Sequence, residues 1–403
     1  MITTIIFLSA ALILASYVKC RDWLNPVSVI VIWWTFWLVV ANVNPVGLYG
    51  PSTYTQFLYL LMLVSAVGGS ILARPTEAAV VAEENKRLIQ KWRWGTLVMI
   101  PIALVLIMLF YKAYTTYLTD ISAVSREDMF GDGGLLFPNQ QFQLVYNAAV
   151  RPLLLGGVIA GLATFLTHDK KWPITVMAIL YVIDSVMMLG RRNIYLLLFL
   201  AAFALFVMAR ENMSRSVQSS RKYGILVILL LSGALILITS WRVGDAFDVQ
   251  RVVERYVVQY HTGGFTIFDQ ERQDPESFLN ENIGFGRATL GTIERAAAIL
   301  IFRRVDNSAR SLNNDLGSDL SEFRKVGPGD GPPGIYMNAY NTILYSMYID
   351  GREIGIVLLS TVWGYFIMGH YLAWRRQQRM HSFMICVLLA GIGFIGLFDT
   401  PLA

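Results

Sequence analysis

Pro26–Val43 reads PVSVIVIWWTFWLVVANV, eighteen residues without a charge. A helix of that length covers about 27 Å, close to the hydrocarbon thickness of a bilayer. The run is continuous and does not alternate polar with apolar positions. That fits a helix satisfying its own backbone hydrogen bonds better than a barrel strand. Similar stretches occupy residues 2–18, 54–73, 95–112, 144–167, 173–190, 193–210, 223–241, 351–373 and 382–398. Of the 403 residues, 55% are hydrophobic and only 15% charged. Soluble domains carry about a quarter charged residues. The chain is therefore expected to be an all-α polytopic membrane protein with about ten transmembrane helices.

Charge orders these segments. Met1–Val18 has no basic residue before it, and Lys19 and Arg21 follow it. That is the reverse of a cleaved signal peptide, so the segment reads as a first span with its N-terminus outside. Every second loop is then basic, as the cytoplasmic side requires. This threading divides the chain into residues 1–241 with eight spans, a large and partly helical outer loop at 242–335, and a C-terminal pair of spans at 336–403. Within the loop, Val249–Tyr260 reads as a helix ended by Gly263-Gly264. Arg287–Arg304 reads as a second, amphipathic helix, and Val326–Gly334 is Gly/Pro-rich. Cys20 and Cys386 lie outside this loop, so no disulfide and no cysteine metal site is expected.

The same threading places fourteen arginines but only two lysines, Lys112 and Lys325, on the outer side. Basic residues are normally retained inside. Arginine's planar fork suits phosphate and carboxylate and keeps its charge at any physiological pH. Gly190-Arg191-Arg192-Asn193 forms a tight outer turn without an acid. It reads either as snorkelling to lipid headgroups or as a phosphate clamp. Arg242 follows the eighth span directly, and Arg251 and Arg255 lie one turn apart. Asp245, Asp248 or Glu254 could pair with some of these. His261 is a candidate general base or a satisfied polar residue. Asn338, Tyr340, Thr342, Tyr345 and Asp350 supply the aromatic faces and polar groups that suit sugar rings. An interfacial aromatic belt is the alternative. The net charge of +5 is mostly topology signal and does not point to nucleic acid. No metalloprotease, Walker or nucleotide-binding motif stands in a credible context.

The string Asn338-x-Tyr340-x-Thr342, followed by aromatics and Asp350-Gly351-x-x-x-Gly355, resembles the C-terminal signature of bacterial oligosaccharide repeat-unit polymerases, the Wzy family of O-antigen and exopolysaccharide polymerases. Gly190-Arg191-Arg192 and Tyr260–Gly264 resemble it too, so the likeness runs from about residue 180 to 370. It implies a GT-C-like, metal-independent glycosyltransferase of the inner membrane, without a cofactor, whose active site faces the periplasm. The substrate would be undecaprenyl-pyrophosphate-linked oligosaccharide, met among membrane lipids, with a chain-length regulator and a flippase as partners. On this basis Arg191, Arg192, Arg242 and Arg255 are expected at the pyrophosphates, with Arg251 as a further contact. His261 is the leading base, with Asp269 and Asp350 behind it. Asn338, Tyr340, Thr342, Tyr345 and Asp350 are expected at the glycan. An O-antigen ligase and a non-enzymatic lipid-linked oligosaccharide flippase are the rival readings. The flippase would lean on ionisable groups inside spans, here Arg151 and Asp184.

Overall fold

The computed structural model describes residues 1–74, 99–118, 136–137, 140–188, 191–210, 221–243, 250, 253–289, 324–328, 334–337, 342–377 and 379–396. Each of the ten apolar stretches overlaps a helix among the described residues. They are α1 (Ile2–Cys20), α2 (Pro26–Val43), α3 (Thr53–Leu72), α4 (Met99–Thr116), α5 (Arg151–His168), α6 (Lys171–Met187), α7 (Arg191–Arg210), α8 (Arg221–Val243), α10 (Ile343–Gln377) and α11 (Met380–Ile395). Among the described residues, α1 to α5 without a break, together with α10, are long and apolar enough to cross a membrane. The remaining helices are shorter or less apolar over their described lengths. The chain is thus an all-α protein of multi-pass membrane character.

One helix stands where none is expected. Residues Val253–Gln259 form a π-helical turn that runs directly into α9 (Tyr260–Gln273). The break expected at Gly263-Gly264 does not occur. Both glycines are buried within α9, which packs against α2 and α3. Glycine costs a helix about 1 kcal/mol relative to alanine. Two adjacent small residues also let neighbouring helices approach closely. Within the segment read as an outer loop, residues 260–273 are therefore helix, most of it buried.

The chain divides into two compact units. The first comprises Met1–Thr76, Val249–Ala373 and Leu388–Ala403, and the second Glu77–Asp248 and Trp374–Val387. In the first unit, Asn25 caps α2, accepting from Ser28 N–H at 3.0 Å, and Pro26 opens the helix where no N–H is needed. Ser16 donates to the same Asn25 oxygen at 2.9 Å and ties α1 to the turn. At that turn the buried Asp22 accepts from Tyr371 of α10. Trp34 donates to the Gly393 carbonyl of α11 at 2.9 Å.

A membrane gives little hydrophobic gain for helix association, so close packing must supply much of it. Here α3 and α10 meet backbone to backbone. A methyl group on Gly69 would overlap the Thr361 carbonyl oxygen, and one on Gly364 would overlap that of Ala66. A two-stranded ribbon, β1 (Arg324–Lys325) and β2 (Tyr336–Met337), pairs antiparallel with Arg324 opposite Met337. Val326 and Met337 pack there on Leu48 and on Ile267 of α9.

In the second unit, a short helix (Gln140–Val145) and a π-helical turn (Tyr146–Val150) lead into α5. Helices α5 and α6 pack as a pair, and so do α7 and α8. Asp184 of α6 is completely buried. It accepts from Tyr146 Oη and from Asn193 Nδ2, each at 2.5 Å, and pairs with Arg151 Nε at 3.4 Å.

Gly364→Ala and Gly69→Ala are expected to lower stability in detergent by about 1–3 kcal/mol, the usual cost of overpacking. Gly68→Ala, which meets nothing within 4 Å, serves as the neutral control. Thermal unfolding of the three purified variants checks this, and equal midpoints for all three would refute the α3–α10 contact.

Candidate functional site

Polar chemistry in the first unit gathers at the end where α3 begins. Ser52 caps α3, its Oγ accepting from Thr55 N–H, and the same hydroxyl donates to Asp269 Oδ1 at 2.5 Å. Thr55 Oγ1 also donates to Oδ1 at 2.5 Å, while Ser52 N–H and Gln273 Nε2 reach Oδ2 at 3.1 and 2.8 Å. Arg272 Nη2 stands 3.3 Å from Oδ1. Burial alone would raise the Asp269 carboxyl. The hydrogen bonds from Ser52, Thr55 and Gln273 outweigh it and hold the carboxyl below its ordinary value.

Next to this network α10 is broken. Gly351 has an extended φ of 177° and Arg352 a φ of 56° with ψ −139°. Such a conformation costs a side-chain-bearing residue about 1–3 kcal/mol. The residues around the break hold it. The carboxylate of Asp350 accepts from the N–H groups of Ala288 and Thr289 at 2.9 and 2.7 Å. The Arg352 guanidinium donates to the carbonyls of Leu279, Asn280 and Asn282. Hydrogen bonds to charged groups contribute about 1.5–3 kcal/mol each, enough together to offset the strain. One acid and one base thus grip the 279–289 segment by opposite backbone groups.

Tyr54, Arg272 and Glu353 lie beside this clamp, next to the buried Tyr348. Tyr54 donates to Glu353 Oε1 at 2.5 Å, and the Arg272 guanidinium lies 4.8 Å from the centre of the Tyr54 ring. The Arg352 guanidinium lies 5.1 Å from the ring of Tyr348.

The residues singled out in the sequence fare differently. His261 is 2% exposed, stacked on Trp37 at 4.2 Å and edge-on to Trp33 at 5.6 Å. Its Nδ1 lies 2.6 Å from the Val257 carbonyl, which fixes a proton on that nitrogen. Burial pushes the imidazole down to about 4, against the opposing pull of the Val257 hydrogen bond. The residue expected as the leading base is therefore an enclosed ring packed on Trp33 and Trp37 of α2. Thr342 and Tyr345 are buried, with Thr342 bonded to Tyr59 at 3.1 Å. Asp350 is buried too, its carboxylate bonded to the backbone N–H groups of Ala288 and Thr289. Asp269 is likewise fully engaged. Arg255 lies exposed on the π-helical turn.

Arg251, Asn338 and Tyr340 lie outside the described residues, as do the side chains of Arg191, Arg192 and Arg242. By backbone position Arg191 and Arg192 open α7, and Arg242 falls in the last turn of α8; all three belong to the second unit. Among the described residues no three His, Cys, Asp or Glu side chains come together as a metal site. Glu353 is the functional candidate that sequence reading passed over. The only hint in the sequence is an acid directly after Asp350-Gly351-Arg352, at the edge of an apolar run. No family model, curated protein or solved structure matches the chain.

Asp269→Asn is expected to lower stability by about 2 kcal/mol at neutral pH, the loss of charged hydrogen bonds. Because the folded carboxyl lies below its ordinary value, its stabilisation is complete above about pH 4 and fades as pH falls through the folded value. The gap between wild type and variant in thermal midpoint should therefore close in acid. A gap that is constant with pH would mean that the charge is irrelevant.

Proposed function

We propose that the chain polymerises oligosaccharide repeat units carried on undecaprenyl pyrophosphate, at the periplasmic face of the bacterial inner membrane. The reaction transfers the growing glycan from its lipid pyrophosphate to a hydroxyl of a new repeat unit. The donor carbon already bears a good leaving group. The protein's tasks are to hold anionic lipid heads, stabilise charge on the departing diphosphate and take one proton. None of these requires a metal when arginines supply the charge.

The observation that carries this reading is the pair Arg191-Arg192 in the first turn of α7, a turn that contains no acid. A helix start presents unpaired N–H groups and the positive end of the helix dipole, which favours phosphate. Asn193, in the same turn, is anchored to the buried Asp184, so the helix start has a fixed position. Arg242 and Arg255 are the further pyrophosphate candidates, and Arg251 an accessory one. Asn338 and Tyr340 remain the proposed glycan contacts of the C-terminal motif. The Arg151–Asp184 pair weighs against a flippase, because the ionisable groups such a carrier would use inside the spans are already paired and bound to Tyr146 and Asn193.

Arg191→Ala and Arg242→Ala, at confirmed expression in a strain lacking the native gene, should abolish polymer while single repeat units still reach the surface. Polymer of normal length from both variants would sink the assignment. Loss of all surface glycan, leaving only the bare lipid core, would identify a ligase instead.

A further inference from the structure

The surface beside the α10 break contains a carboxylate that structural duty does not exhaust. Glu353 is half-buried. Its Oε1 accepts the Tyr54 hydroxyl at 2.5 Å, and among the described residues Oε2 has no partner. The contrast with its neighbours is informative. Asp269 uses both oxygens on α3 and α9, Asp350 uses both on backbone N–H groups, and Glu271 is buried in a pair with Arg324. Of these four carboxylates, Glu353 is the one that is not buried, and its Oε2 has no partner among the described residues.

The surroundings suit a sugar. Tyr54 is 41% exposed, so part of its ring is open to a ligand. Arg272 contacts Thr55 through Nε and Ser52 and Asp269 through Nη2, leaving Nη1 without a hydrogen bond among the described residues, beside the Tyr54 ring. The Arg352 guanidinium stands nearby, over the ring of Tyr348. A base, a free guanidinium edge and a half-open aromatic ring therefore share one surface.

The backbone supports the same view. Glu353 directly follows Arg352, the residue with the strained φ, and the clamp from Asp350 and Arg352 to the 279–289 segment keeps that break in place. Strain held by surrounding structure is characteristic of residues whose position matters to function. A single exposed hydrogen bond to Tyr54 would be a poor reason to maintain it.

We propose that Glu353 is the catalytic base, accepting the proton of the acceptor sugar hydroxyl; this rests on the polymerase reading given above. The acceptor oxygen forms a bond to the anomeric carbon of the donor glycan. The bond from that carbon to the pyrophosphate oxygen breaks, and its electron pair leaves with the lipid pyrophosphate. The hydroxyl proton passes to Glu353 Oε2 and then to solvent. Tyr54 is a positioning residue that holds the carboxylate through Oε1, and Arg272 Nη1 donates to a neighbouring oxygen of the acceptor sugar.

The test uses purified full-length protein in liposomes, with the undecaprenyl-pyrophosphate-linked repeat unit extracted from a strain deleted for this gene. Glu353→Gln should lower kcat about 10²-fold or more with KM little changed, and the acid limb of the pH–rate profile should disappear. Tyr54→Phe, which keeps the ring, should lower kcat about tenfold, a smaller loss than removing the base itself. If Glu353→Gln keeps the wild-type rate and acid limb while Arg191→Ala is inactive, the base is elsewhere and the polymerase reading stands. If the wild-type protein forms no polymer from this substrate, both fall. Should Glu353→Gln fail to fold by size-exclusion chromatography, Tyr54→Phe decides, and an unchanged kcat overturns the proposal.

Discussion

The carboxylate of Asp269 accepts from Ser52, Thr55 and Gln273 and stands beside Arg272, at the level where α3 begins. A helix as polar as α9 can lie among apolar helices only if its charge is met in this way, because a buried unpaired carboxylate is costly. Once that bond set is in place, α9 runs inward from the rim for eight residues, about 12 Å, to His261 between Trp33 and Trp37. Phe265 and Phe268 then pack against Tyr59 of α3. The ribbon, the Leu48 cluster and the entry into α10 are arranged around this inserted helix.

The arginines that first drew attention divide by what they touch. Arg324 pairs with Glu271, Arg151 with Asp184, and Arg352 spreads over three backbone carbonyls. These are structural assignments, and two of them, Arg324 and Arg352, belong to the outer arginines. Arg272 is intermediate. It braces Asp269 with one edge and leaves another beside Tyr54. Of the arginines expected at the pyrophosphates, Arg191, Arg192 and Arg242 lie at helix ends by backbone position, and Arg255 is exposed on the π-helical turn.

The all-α membrane character was legible because a continuous run such as Pro26–Val43 has one low-energy form in a bilayer, whatever its neighbours do; among the described residues six helices, not ten, are long and apolar enough to cross it. Helix α9 was not legible. YHTGGFTIFDQERQ is polar on average and contains two adjacent glycines, so local preference reads it as a loop. Its burial depends on partners more than two hundred residues away in sequence, such as Ser52 and Thr55. The same limit applies to His261, Thr342, Tyr345 and Asp350. Their residue types fit sugar chemistry and structural bonding equally well, and only tertiary neighbours separate the two. Glu353 was missed for the opposite reason. An acid at the edge of a span looks like a boundary marker until the break at Gly351-Arg352 is seen to aim it.

The first unit is built from three separated stretches of chain, and that has a consequence for biosynthesis. Helices α1, α2 and α3 leave the ribosome well before Val249, where the next contributing stretch begins. At ordinary elongation rates the delay is about 10–30 s. During that interval α1 and α2 can already satisfy one another, through Ser9 with Thr35 and Ser16 with Asn25. Helix α3 packs on them only in part, since Gly69 awaits Thr361, Ser52 and Thr55 await Asp269, and Tyr59 awaits Thr342. A nascent protein of this design holds an open slot in the membrane beside α3, and the slot closes only when the last third of the chain has been made.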